Sequence, residues 1–170
     1  MIRVFRDWFL DQLAMYAAYH KDRRNQLTHY VGVPIIIFSI LTVLIQVPPA
    51  GPVSAAGAFL GIILLSYVVA VPLIGVLSAV ACLPLYVLAA GVAEMEPAPR
   101  WSVAAACFAG GWAIQFVGHI FEGRKPAFLS NALQLFMAPA FLIAELMFAA
   151  GLQRSLADLL HVRARKYARP

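Results

Sequence analysis

The sequence predicts an all-α, polytopic membrane helical bundle with an interfacial amphipathic helix at its N-terminus. Three observations carry that prediction. Hydrophobic residues make up 62% of the 170-residue chain and charged residues 12%, about half the charged share of a soluble domain. Mean hydropathy is +0.81. From Val31 to Ala93 there is no Asp, Glu, Lys or Arg at all, room for about three helical passes of roughly 20 residues each.

Taken in order, residues 2–19 place Phe5, Trp8, Phe9, Leu13 and Tyr16 at helical spacing, with Arg3, Arg6, Asp7 and Asp11 mostly opposite. That pattern predicts a helix lying on the membrane surface or packed against the chain's own spans. The charges in residues 1–30 and the lack of an apolar h-region argue against a cleaved leader. Lys21–Arg24 reads as a loop and Asn25 as the N-cap of the helix entering the membrane. The first span is expected over about Val33–Val47, with Pro34 near its start. Pro48–Pro52 reads as a turn. Spans two and three are expected over Val53–Val71 and Leu73–Ala93, divided at Pro72.

Glu94–Arg100 reads as a loop, Trp101–Phe121 as span four, and Glu122–Pro126 as the next loop. Asn131–Leu152 is apolar but contains Pro139 and Glu145. As a fifth full span it would export the basic tail; as a kinked, re-entrant segment it keeps the tail on the starting side, and the second is preferred. The whole chain, 1–170, reads as one membrane-embedded domain ending in a basic tail, 153–170. Most of the net charge of +5 lies in that tail. Basic ends favour the cytoplasmic side and anionic lipid. The expected membrane is a bacterial inner membrane or the endoplasmic reticulum. Nucleic-acid binding is not expected, because no soluble domain displays a basic face. Cys82 and Cys107 fall in apolar segments and read as buried small hydrophobes. The oligomeric state is left open.

The polar residues at the ends of the spans are the candidates for chemistry. His20 and His29 flank the first loop, and His119 closes the fourth span. Four spans place all three on one side of the membrane. Neutral imidazole is the commonest metal ligand, and unpaired imidazoles suit a lipid boundary poorly. His20 and His29, nine residues apart, can meet only if the chain turns between them. Asn25 shares a helical face with His29, while Gln115 and Glu122 share one with His119. These spacings fit either a metal site or hydrogen-bonded interfacial histidines. Glu145 reads as a functional carboxylate or a hydrogen-bonded structural one, and His161 as a solvated residue.

The two motifs together, His20-x4-Asn25-x3-His29-x2-Gly32-x-Pro34 and Gln115-x2-Gly118-His119-x2-Glu122-x3-Pro126-Ala127, resemble the small membrane family of yeast-type 2-hydroxy fatty acid dioxygenases. The resemblance runs from about Asp7 to Leu152. It implies Fe(II)-dependent α-oxidation, in which a 2-hydroxy fatty acid and O2 give a fatty acid one carbon shorter. It further implies that His20, His29 and His119 hold Fe(2+), and that Asn25, Gln115 and Glu122 support the imidazoles or bind the substrate head. Glu122 is the best candidate for an additional ligand. The acyl chain would lie among the spans. The competing readings are another metal-dependent lipid enzyme, such as a hydrolase, and a non-enzymatic membrane transporter or scaffold.

Overall fold

A computed structural model describes residues 1–48 and 53–167. Most of the expected Pro48–Pro52 turn therefore lies outside the described residues. Seven α-helices follow one another: α1 Ile2–Ala18, α2 Arg23–Ile45, α3 Ala55–Ala70, α4 Pro72–Ala93, α5 Pro97–Glu122, α6 Ala138–Ala149 and α7 Arg154–Ala164. No strand occurs among the described residues. Helices α2, α4 and α5 are long and apolar enough to cross a membrane. At about 1.5 Å per residue, the 16 residues of α3 reach about 24 Å.

The helices alternate in direction. Gln46, at the end of α2, donates to the Ala93 carbonyl at the end of α4 (3.2 Å), and Ser54, before α3, meets Tyr86 near the end of α4 (3.2 Å). Helix α5 then returns along α2, so that the start of α2 and the end of α5 lie together. Their contact depends on small residues. A Cβ on Gly32 would sit 3.0 Å from the Gly111 carbonyl oxygen, and one on Gly118 would sit 2.0 Å from Thr28 Oγ1 and 2.5 Å from Asn25 Oδ1. Without side chains at these points the backbones can approach closely, the usual way helices pack in lipid. Helix α5 ends where Gly123 adopts φ 62° and donates back to the Ile120 carbonyl. A left-handed glycine is a common helix stop. It leaves His119 in the last turn.

Two boundaries differ from the sequence expectation. Asp22, not Asn25, caps α2: its Oδ1 accepts from the Arg24 amide at 2.8 Å. Arg23 and Arg24 thus belong to the first turn, and α2 begins about ten residues before the apolar stretch, because a helix need not stop where lipid does. Pro34 falls inside α2 rather than near its start, where it removes the N–H that would bond to the Tyr30 carbonyl. Helix α5 likewise starts earlier, at Pro97, in the position where proline's missing N–H matters least.

The C-terminal third comes back to α1. After α5 the chain forms short 3-10 turns at Ala127–Leu129 and Ala132–Phe136. Helix α6, with 12 residues, is about 18 Å long, well short of a roughly 30 Å hydrocarbon core. Helix α7 then packs on α1. Leu156, Leu160 and Ala164 join Phe9, Leu10 and Leu13 in one buried cluster, and Arg163 bonds Asp7 and Asp11 at 2.8 and 3.0 Å. Helix α7 therefore lies beside α1. Cys82 and Cys107 are both free.

Candidate metal centre and lipid cavity

His20 follows the end of α1, His29 lies in the second turn of α2, and His119 lies in the last turn of α5. The turn over residues 19–22 folds His20 back onto α2. The three ring centroids lie 4.5, 5.0 and 5.2 Å apart. One nitrogen from each falls within 4.8 Å of the others, and all three residues are buried. The expected convergence of the three histidines is present.

The hydrogen bonds around the rings determine what they can bind. His20 Nδ1 lies 2.7 Å from the Tyr16 carbonyl oxygen, and His29 Nδ1 lies 2.8 Å from that of Asn25. A carbonyl only accepts, so each Nδ1 carries the proton and each neutral ring presents its lone pair at Nε2. Those two Nε2 atoms lie 3.1 Å apart. Two lone pairs at that distance repel unless a cation lies between them. The spacing is compatible with two bonds of about 2.0–2.1 Å meeting at one ion. Burial and the neighbouring His29 hold the His20 pKa well below the usual histidine range, which keeps the ring in its neutral, ligating form. With three imidazoles and no thiolate, the donor set suits iron, zinc, copper or nickel.

The other candidate residues surround this cluster in distinct ways. Glu122, expected as an additional ligand, is not in the metal-donor group found among the described residues. Its two oxygens accept from the Lys21 amide (3.0 Å), the Asp22 amide (2.9 Å) and Asn25 Nδ2 (3.0 Å). The carboxylate thus clamps the turn carrying His20 to the end of the helix carrying His119. Asn25 supports His29 through its backbone carbonyl, while its buried side-chain oxygen, facing Gly118, has no hydrogen-bond partner. Gln115 lines the cavity described below with a buried Oε1 that is also unpartnered. Glu145 is beside Gln26 Nε2 at 3.5 Å. Gln26 in turn donates to the His20 carbonyl at 2.9 Å. Glu145 does not join the metal-donor group found among the described residues. His161 is exposed, as expected.

Several contributors were not legible beforehand. Tyr16 stacks on His20 with centroids 3.9 Å apart and planes 4° from parallel. The i, i+4 spacing from Tyr16 to His20 is the signal that would have found it. Arg124 holds the end of α1 through the Ala18 carbonyl (3.0 Å), lies over the Tyr19 ring, and reaches the Tyr167 carbonyl (3.1 Å). Gln134 is 1% exposed. Asn131 Oδ1 caps Leu133, so its amide donates to Gln12 Oε1, which also accepts from Gln134 Nε2. This leaves Gln134 Oε1 in the cavity wall without a partner.

The histidines close one end of a cavity of about 480 Å³, within the roughly 300–1,000 Å³ of small-molecule sites. Its wall follows α2 from His29 through Val33, Ile36 and Ile40 to Leu44. Those positions span about 22 Å at 1.5 Å per residue. Leu60, Ile63 and Tyr67 of α3 and Trp112 of α5 face them, and Phe128 and Phe136, between α5 and α6, close the side. A Tyr67 hydroxyl bond to the Phe136 carbonyl holds that segment in place.

An all-α membrane protein with three buried histidines at the polar end of a long apolar cavity is the class that fold and site define. Residues 7–150 match the family described as 2-hydroxy-palmitic acid dioxygenase Mpo1-like, and the chain belongs to this Mpo1-like family. It is 31% identical over 153 residues, covering 88% of this chain and 86% of the relative, to the 2-hydroxy-palmitic acid dioxygenase MPO1 of Saccharomyces cerevisiae. No solved structure matches the chain.

Proposed function

We propose that this protein is an Fe(II)-dependent dioxygenase that carries out α-oxidation of 2-hydroxy fatty acids. The observation that carries this reading is the pair of imidazole lone pairs, with a third histidine beside them, at the mouth of a membrane-embedded apolar cavity. The family membership supports the substrate class, since the yeast relative is named for 2-hydroxy-palmitic acid.

His20, His29 and His119 would hold the iron, which when bound would supply open coordination positions and relay electrons from the substrate to O2. The chain's own groups position the substrate. The methylenes lie along Val33, Ile36, Ile40 and Leu44, each buried CH2 contributing about 0.8 kcal/mol. The unpartnered Oε1 of Gln115 accepts a hydrogen bond from the 2-hydroxyl, which offsets the roughly 1–3 kcal/mol penalty of a buried, unmade hydrogen bond. Burial raises the Tyr16 phenol above its ordinary range, so it stays protonated and keeps negative charge away from His20. The apolar walls exclude water from the head of the substrate. With no external reductant the overall reaction balances as a 2-hydroxy acid plus O2 giving the acid one carbon shorter, carbon dioxide and water. On this reading the site lies on the cytoplasmic side, which the basic loops beside it support.

Purified protein loaded with Fe(II) should convert 2-hydroxypalmitate under O2 to the acid one carbon shorter, with no added 2-oxo acid, and should leave palmitate untouched. Folded, iron-loaded protein that converts no 2-hydroxy acid would overturn the assignment.

A further inference from the structure

The cavity does not end in a solid floor. A second apolar depression of about 450 Å³ lies between α2 and α5, lined by Val43, Trp101 and Ala105 among others. The two spaces share Ile40, Leu44 and Phe108 as lining residues. Three side chains are therefore the partition between them. That partition is far from the histidines: counted along α2 from His29, Ile40 lies about 16 Å and Leu44 about 22 Å away at 1.5 Å per residue. Phe108 is 47% exposed, so its ring is held on one side only. The polar group at this end is already satisfied, since Ser39 Oγ donates to the Ile36 carbonyl at 2.7 Å. The depression therefore offers an acyl chain nothing but hydrocarbon.

We infer that this α2–α5 depression is a distal acyl subsite, which receives through the Ile40–Leu44–Phe108 partition the tail of substrates too long for the inner cavity. The inference rests on the reading of the inner cavity as an acyl site. A cavity about 22 Å deep exceeds the roughly 15 Å half-thickness of a hydrocarbon core, so tails of ordinary membrane length end near the partition. Tails half as long again must go further. The depression lies beside the far end of the cavity, along residues 39–44 of α2 and 101–108 of α5, and its outer face is open to the bilayer, where a protruding tail is at no disadvantage. The lining that the two spaces share at Ile40, Leu44 and Phe108 selects the substrate's own tail as occupant over an unrelated bilayer lipid. The protein should therefore tolerate very long chains and not impose an upper limit.

The test compares 2-hydroxypalmitate with 2-hydroxylignocerate on iron-loaded wild type, Ala105→Trp and Val43→Trp. The two substitutions fill the depression from opposite walls at exposed positions outside the metal centre. Wild type should turn over both acids. In each variant the ratio of kcat/KM for the long acid to that for the short one should fall by roughly tenfold or more, because the excluded methylenes lose their burial. An unchanged ratio in both variants, or a wild type that accepts only the short acid, overturns the inference. A second readout does not need turnover: 2-hydroxylignocerate carrying a diazirine at its terminal carbon should label residues 39–44 and 101–108 on photolysis. Labelling confined to other segments overturns the inference even where turnover is normal. Labelling there without turnover upholds the subsite and counts against the proposed reaction.

Discussion

At the scale of single residues, the metal centre is held by atoms that side-chain identity does not display. His20 and His29 owe their orientation to the carbonyls of Tyr16 and Asn25. The three histidines were legible as chemical types, while their tautomers were not, because the partners are backbone. Replacing His29 with Ala should abolish iron binding, read as metal per protein, while the protein still elutes as a folded species. Glu122→Ala should reduce iron affinity by about 10–100-fold, as loss of a supporting partner typically does. Glu122→Gln should retain part of it by keeping one acceptor for the Lys21 and Asp22 amides. A loss in Ala no greater than in Gln would remove the clamp from the account. His20 also sets a pH dependence. Its folded-state pKa lies well below the ordinary histidine value of 6.5, so between the two values the unfolded chain binds a proton that the folded chain does not. Stability of metal-free protein should be flat above neutrality. It should fall as pH drops below about 6.5, with a slope of up to about 1.4 kcal/mol per pH unit for one proton. Thermal unfolding across that range checks the sign.

At the scale of elements, the charge-free stretch made the spans easy to locate, whereas their polar ends were placed too late. Arg23 and Arg24 look like loop residues but form the first turn of α2, since helix propagation depends on backbone geometry and the Asp22 cap, not on lipid. The close seam between α2 and α5 was equally hidden, although Gly32 and Gly118 were noted within the motifs. Gly118→Ala should push Thr28 and Asn25 away from α5 and separate His29 from His119. The expected cost is about 1–3 kcal/mol, typical of overpacking, together with weakened iron binding. Gly110→Ala, where a Cβ meets nothing within 4 Å, is the control and should leave both unchanged. Equal behaviour of the two variants in thermal melts and metal content would refute the seam as the constraint.

At the scale of the whole molecule, α7 returns to α1 through buried Leu156 and Leu160 and through Arg163. Composition marked the tail as basic and left its docking unseen, because one arginine bonding two aspartates many residues away has no local signature. Cysteines introduced at Arg3 and Arg154 in sealed vesicles should react with a membrane-impermeant maleimide from the same face. Reaction from opposite faces would mean that residues 126–152 cross the membrane.

The arrangement of the three ligands also has a meaning in time. His20 and His29 emerge from the ribosome before α3, α4 and α5, whereas His119 arrives only with the last turn of α5. Until then the two early imidazoles lack their third companion, and the clamp from Glu122 does not exist. On the proposed reading, ion capture therefore waits for α5: a nascent chain stalled before it has no completed set of three imidazoles.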